Sequence, residues 1–227
     1  MCDYPLEIQK ISQRKTISIS VCKGRLLIKS PKGVSDRFIQ DLIRKKRNWI
    51  DKQFTKAKTL ALASKDYHYQ TGAKIRYLGR SLSLQLIKSS SVSIATDDNT
   101  FLIRTQVQTP GIIKSIIHDW LYQQAVEIFE TRVPHYARKL KLGFDSIRLK
   151  RYRRRWGSCD TRARLSFNWL LIQADQRIID YVICHELSHI HHMNHSSEFW
   201  ECVAKVCPQY KDRRKWLRDH GDELMLL

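Results

Sequence analysis

The alternation of hydrophobic and polar positions predicts short β-strands in the first half of the chain. Two β-prone runs within residues 16–30 flank Gly24, which is the pattern of a hairpin. Four further β-like segments follow, separated by short polar turns: residues 73–78, 81–88, 92–95 and 101–104. The alternation from Leu82 to Leu86 predicts one buried face and one solvent-exposed face. We therefore predict an antiparallel, β-rich N-terminal portion over residues 1–108.

A helical repeat of apolar residues predicts one helix in this portion and several helices after it. The first spans residues 36–61, with Ser35 as its N-cap. Its approximate apolar stripe consists of Phe38, Leu42, Ile43, Trp49, Ile50 and Phe54. A second helix begins at Pro110 and keeps a broad apolar face up to Pro134, and a further helical piece ends at Leu142.

The last part of the chain alternates strands and helices in a way that predicts a second domain over residues 109–227. Residues 146–155 have the pattern of a strand with a basic side, and residues 164–171 that of the returning strand. Asp175 is the predicted N-cap of a long helix, which is followed by two shorter amphipathic segments.

That long helix contains the motif His-Glu-Leu-Ser-His, from His185 to His189. Two residues four apart lie on one face of an α-helix a single turn apart, so both histidines can bind one metal ion. Glu186 then projects beside them. The spacing predicts a metal site with a carboxylate next to it.

A third histidine tests this interpretation. An unbroken helix would place His195 about 9 Å beyond His189, whereas two nitrogens bound to one tetrahedral zinc are only ~3.3 Å apart. The helix must therefore end before His195, and the chain must turn back. Asn194 is the candidate for the turn, because asparagine tolerates a left-handed backbone.

Three imidazoles leave one tetrahedral position for water, and an open position distinguishes catalytic zinc from structural zinc. Zinc lowers the pKa of its water to about 7, and a carboxylate that binds no metal can accept the proton. We predict one Zn²⁺ per chain, bound by His185, His189 and His195, with Glu186 as general base. The alternative is a histidine-rich helix end that binds metal without a catalytic role, which explains neither Glu186 nor the return to His195.

The net charge of the chain is a second feature that bears on its binding partners. The 227 residues include 41 lysines and arginines against 22 acidic residues, a formal charge of +19. Such a charge attracts polyanions, but it also promotes solubility. The charge alone does not show which of these two roles it has. A cluster of Arg151, Arg153, Arg154 and Arg155 is a candidate phosphate or nucleic-acid contact, since guanidinium matches phosphate geometry; the alternative is a solvated strand face.

The sequence also predicts a cytoplasmic setting. The first residues lack a basic region followed by an apolar one, no stretch approaches 18 uncharged apolar residues, and the six cysteines form no disulfide framework. Neither export nor a membrane partner is expected, and the pattern does not indicate an oligomeric state.

Four segments together closely resemble the YgjP-like family of zinc metallopeptidases, which is related to the SprT-like and WLM zincins: residues 155–159, 165–169, 180–189 and 194–200. The resemblance implies an α+β fold in which residues 109–227 form a compact zincin-like metallopeptidase domain. It implies that the three histidines are metal ligands and Glu186 the catalytic glutamate. Trp156, Gly157, Ser158 and Asn168 also match motif positions, and are candidates for supporting the ligands or lining the substrate cleft.

The resemblance leaves the substrate open. A peptide or protein is the first expectation, and some YgjP-like proteins are described as nucleotide pyrophosphatases, so a metal-dependent nucleotide phosphohydrolase is the second. The third is a nucleic-acid-binding module with a structural zinc. The absence of a P-loop motif excludes the usual kind of nucleotide triphosphatase.

Overall fold

The computed structural model describes residues 4–22, 24–65 and 69–227, without the side chains of residues 60–65. The chain forms two compact units, Met1–Asp66 and Tyr67–Leu227. This division differs from the boundary near residue 108 that the sequence predicted. The reason is that the sheet following Tyr69 shares one hydrophobic core with the helices that come after it.

The first unit has three strands and two helices in its described part: β1 (Leu6–Ile11), β2 (Ser18–Cys22), β3 (Arg25–Pro31), α1 (Asp36–Lys45) and α2 (Arg47–Lys65). The strand order is β1-β3-β2. β2 and β3 are antiparallel, as the predicted hairpin requires, whereas β1, which the sequence pattern did not predict, pairs with β3 in parallel.

The predicted first helix is divided in two at Lys46. Ser35 is its N-cap, as predicted, and accepts a hydrogen bond from the Phe38 backbone N–H at 3.3 Å. The predicted apolar stripe is partly wrong, since Phe38 is 55% exposed and Trp49 is 42% exposed. Ile43 and Ile50 of the predicted stripe do lie in the core of this unit, together with Leu26, Ile28 and Ile39, and Phe54 packs against that core.

The second unit begins with a four-stranded sheet: β4 (Lys74–Tyr77), β5 (Arg80–Lys88), β6 (Ser93–Thr96) and β7 (Thr100–Thr105). Its strand order is β4-β5-β7-β6, and β5 and β7 are parallel. The prediction of an antiparallel N-terminal portion is therefore wrong, and both sheets described so far are mixed. Alternating residues specify which face is buried, and they carry no information on strand direction.

Helix α3 (Pro110–Leu140) runs through Pro134 without the predicted division and ends at Lys141 in a left-handed conformation. Packing along the whole helix outweighs the hydrogen bond that a proline removes. The fully buried side chains of this helix are Ile113, Ile117, Leu121, Ala125, Phe129 and Val133.

The second unit also contains a three-stranded sheet, which precedes the long helix in the chain: β8 (Ser146–Lys150), β9 (Gly157–Cys159) and β10 (Arg164–Asn168). The order is β8-β10-β9, with β8 parallel and β9 antiparallel to β10. The predicted returning strand therefore runs parallel to its partner, and β9 was not predicted. Within the described residues, β9 is an edge strand.

The chain then forms a 3-10 helix (Trp169–Gln173) and three helices: α4 (Gln176–Ser188), α5 (Ser197–Val206) and α6 (Tyr210–Leu224). Asp175 caps α4, as predicted, and accepts a hydrogen bond from the Arg177 backbone N–H at 2.8 Å. The mixed α+β class is that of the prediction. Of the helices described, none combines the length and hydrophobicity needed to cross a bilayer.

Candidate metal centre

Helix α4 carries the first two histidines at its C-terminal end. His185 lies in its last turn, and His189 is the C-cap. The helix is held in place because its other residues are almost all buried, including Ile183, Cys184 and Leu187 at 0% exposure. Buried neighbours on both sides leave His185 and His189 little freedom to move.

The chain leaves the helix immediately after His189, and this is what brings His195 back. The backbone N–H of Ile190 donates to Leu187 at 3.0 Å, and that of His192 donates to Ser188 at 3.1 Å. Asn194 is not among the described residues with positive φ, so the expected left-handed turn there is wrong. Hydrogen-bonded turns just past the helix end reverse the chain instead.

The three histidines meet at one point. Nε2 of His195 lies 3.1 Å from Nε2 of His185, and the ligand atoms of His185, His189 and His195 all lie within 4.8 Å of one another. Two nitrogens bound to one tetrahedral zinc are ~3.3 Å apart, so the donor set fits such an ion. No fourth His, Cys, Asp or Glu from residues 4–22, 24–65 and 69–227 joins the cluster.

The protonation of the rings also suits metal binding. Burial, with smaller contributions from His189 and His195, lowers the pKa of His185 to about 3. Burial also lowers the pKa of His189, against the effect of its hydrogen bond to His192. That bond joins Nδ1 of His189 to the His192 carbonyl oxygen at 3.0 Å, so Nε2 of His189 is left for a metal. Neutral imidazole is the form that coordinates.

Glu186 lies beside this cluster in a nearly closed environment. Its side chain is buried, and burial raises its pKa to about 8, with the positive charge of Arg155 acting in the opposite direction. Gly157 of β9 packs directly on the carboxylate: a Cβ there would lie 2.6 Å from both Cγ and Oε1 of Glu186. Only a glycine leaves room for the observed position of this side chain.

Phe199 of α5 forms a platform beneath all three histidines. Its ring centroid lies 4.9 Å from that of His185, 4.6 Å from His189 and 4.8 Å from His195. Sequence reasoning did not assign a role to Phe199. The available signal was an aromatic residue four positions after the third histidine.

Asn168, one of the predicted support residues, is fully buried and holds the loop before β9. Its Nδ2 donates to the backbone oxygens of Tyr152 at 3.1 Å and Arg155 at 3.3 Å. Its Oδ1 accepts from the Leu170 backbone N–H at 3.3 Å. Asn168 therefore orders the segment that leads to Gly157 and does not itself approach the histidines.

Trp156 and Ser158 support the same segment. The Trp156 ring packs on α6, where a Cβ at Gly221 would come within 3.1 Å of it. The Ser158 hydroxyl lies 3.2 Å from that of Tyr152. Of the four motif positions outside the histidine helix, Gly157 is the one that the structure brings against Glu186.

The four arginines of the predicted phosphate contact, between residues 151 and 155, differ in their surroundings. Arg151 donates to the backbone oxygen of Leu227. The guanidinium of Arg155 lies over a neighbouring aromatic ring, and Arg153 and Arg154 are exposed. Their contact with a polyanion stays a prediction.

The comparison with protein families agrees with the resemblance found in the sequence. Residues 15–220 match the YgjP-like family, described as a metallopeptidase domain. A comparison with curated proteins finds no match. Among solved structures, the chain is similar to the metallopeptidase zymogen abylysin from Pyrococcus abyssi, at 20% identity and a TM-score of 0.37, over 41% of this chain and 92% of that chain.

Proposed function

This chain belongs to the YgjP-like metallopeptidase family, and from that premise we propose that it is a zinc-dependent peptidase with Glu186 as its general base. The family itself implies a metal ion and a peptide or protein substrate. The observation that most supports zinc and its position is the convergence of nitrogens from His185, His189 and His195 beside a buried carboxylate. Three imidazoles favour zinc among the common divalent ions.

The metal site and Glu186 have separate roles in the proposed reaction. The bound zinc would polarise the substrate carbonyl and make water nucleophilic at neutral pH. Glu186 accepts a proton from the attacking water and returns it to the amine of the leaving peptide. Its burial makes it a stronger base than an exposed glutamate, and the positive charge of Arg155 favours its ionised form.

The substrate would bind along the edge strand β9. This strand pairs with β10 on one side, and its Gly157 contacts Glu186. An extended peptide can add to such an edge through backbone hydrogen bonds, which would place one peptide bond above the carboxylate. Backbone recognition of this kind requires an unfolded or flexible substrate segment.

The experiment compares wild type with Glu186→Gln on a library of proteome-derived peptides and on nucleoside triphosphates. Because the amide cannot accept the proton, we expect Glu186→Gln to keep its zinc and to lose peptide cleavage by a factor of ~10²–10⁴. A chelator should abolish wild-type cleavage, and zinc should restore it. Phosphate release without any peptide cleavage, or cleavage that survives in Glu186→Gln, would contradict the proposal.

A further inference from the structure

Two arginines lie near the candidate centre, and neither is a metal ligand or the general base. Arg155 directly precedes the segment in which Gly157 packs on Glu186. Its guanidinium carbon lies 5.1 Å from the centroid of the Tyr152 ring, and its backbone oxygen accepts from Asn168. The side chain is exposed at this end of β9.

Arg214 approaches from a different element, helix α6. Its guanidinium carbon lies 4.8 Å from the centroid of the Trp200 ring. Trp200 in turn stacks on His195, with centroids 5.7 Å apart and planes at 24°, and on Tyr210 at 5.0 Å and 14°. The stacked rings fix Trp200 beside the histidines, and Trp200 provides the surface on which Arg214 rests.

In the part of the chain that the structure describes, neither Arg155 nor Arg214 forms a salt bridge, whereas Arg132 is paired with Asp180. The charge of Arg155 acts only at longer range, on the buried carboxylate of Glu186. Both arginines are exposed. A guanidinium held by an aromatic ring is already oriented, so it loses less entropy when it binds a carboxylate through two hydrogen bonds.

The position of Arg214 suits a substrate side chain better than the reacting carbonyl. Its guanidinium and His195 both contact the Trp200 ring, whose centroid lies 4.8 Å from the guanidinium carbon and 5.7 Å from the His195 ring centroid. Stabilising the oxyanion requires a donor within ~2.7–3.1 Å of it. Because successive residues of an extended peptide are ~3.3 Å apart, two contacts of this length place Arg214 beside a residue one or two positions from the cleaved bond.

We propose that Arg214, together with Arg155, makes the enzyme select peptides that carry a carboxylate one or two residues from the cleaved bond. The carboxylate comes either from an acidic side chain or from the C-terminus of the substrate. This inference rests on the proposed peptidase function. It makes Arg214 a specificity-determining residue and Trp200 the residue that positions it.

The test uses the full chain loaded with zinc and matched peptides. The best-cleaved sequence from the peptide library is resynthesised with blocked termini and with Glu, Gln or Lys at each of the two positions on either side of the cleaved bond. A second pair differs only in a free or amidated C-terminus placed two residues from that bond. We expect kcat/KM at the selected position to be at least about tenfold higher for the carboxylate than for its neutral counterpart.

The variants are Arg214→Gln and Arg155→Gln, with Lys215→Gln as the control that removes one positive charge from the same helix. Arg214→Gln should reduce the Glu-over-Gln preference to about one. Arg214→Glu should reverse the preference toward Lys. Lys215→Gln should behave as wild type. Thermal unfolding and zinc content, measured for every variant, identify any variant that fails to fold.

The outcomes separate the inference from the proposed function. Wild type that cleaves none of the peptides contradicts the peptidase itself. Wild type that cleaves Glu, Gln and Lys peptides equally well overturns only the selection. A preference that survives in folded, zinc-loaded Arg214→Gln and Arg155→Gln, or that is lost equally in Lys215→Gln, also overturns it, because bulk charge and not these two arginines would then be responsible.

Discussion

At the scale of single residues, local geometry predicts the candidate site only where its members are close in the chain, and Gly157 was named by the family resemblance alone. His185, Glu186 and His189 follow from helical geometry, and His195 from the distance that a shared ion allows. Phe199 lies a few residues on, but its contact with three rings depends on how α5 packs. Arg214 belongs to another helix, and no local pattern connects it to the histidines.

Gly157 provides the sharpest test at this scale. In Gly157→Ala the new Cβ would lie 2.6 Å from the carboxylate of Glu186, so the buried side chain must move. We expect kcat to fall by at least about tenfold through loss of positioning, with zinc content unchanged. The control is Gly143→Ala, where a Cβ meets no atom within 4 Å. Equal activity of both variants in the peptide assay would contradict the assigned role.

At the scale of secondary-structure elements, the sequence predicts the buried faces of strands and the caps of helices better than it predicts strand directions and helix breaks. Ser35 and Asp175 cap helices as expected, because a cap needs only the residues next to it. The parallel pairing of β5 with β7 and the continuity of α3 through Pro134 depend on distant partners. Local patterns contain no information about either.

Helix α4 is tied to α3 by an ion pair that the sequence did not reveal. Nη2 of Arg132 donates to Asp180 at 2.6 Å, and Nε makes a second bond to the same carboxylate. The side chains are 24% and 9% exposed. Breaking such a pair leaves a buried charge without a partner, which makes it much more costly than breaking an exposed one.

We therefore expect Asp180→Ala to lower the free energy of unfolding by about 3–5 kcal/mol, measured by urea denaturation. Asp98→Ala removes an exposed partner of Arg80, with Asp98 90% exposed, and should cost about 0–1 kcal/mol. If the two variants unfold at the same urea concentration, the Arg132–Asp180 pair does not anchor α4.

At the scale of the whole molecule, the division after residue 66 differs from the one predicted near residue 108. The sequence signal at residue 108 was a change from strand to helix pattern, but a change of pattern does not show where a core ends. Ile75, Leu82 and Phe101 of the four-stranded sheet belong to the same core as Ile117 and Leu121 of α3.

The extent of this core predicts which fragments of the chain fold on their own. A fragment of residues 67–227 should fold, bind zinc and unfold cooperatively, since it keeps the entire core of its unit. A fragment of residues 109–227 should aggregate, because it leaves the apolar face of α3 without its partner sheet. Circular dichroism and size-exclusion chromatography distinguish the two. A soluble, zinc-binding fragment of residues 109–227 would support the boundary at 108 instead.

The proposed chemistry requires that three imidazoles bind one zinc and leave a fourth position for water. Zinc X-ray absorption spectroscopy on the full chain, together with metal quantification, measures this directly. We expect about one zinc per chain, with three histidine nitrogens and one further light atom at about 2.0–2.1 Å. A sulfur ligand at about 2.3 Å, a fourth histidine, or zinc retained at full occupancy in a His195→Ala variant with an unchanged spectrum would contradict the claim.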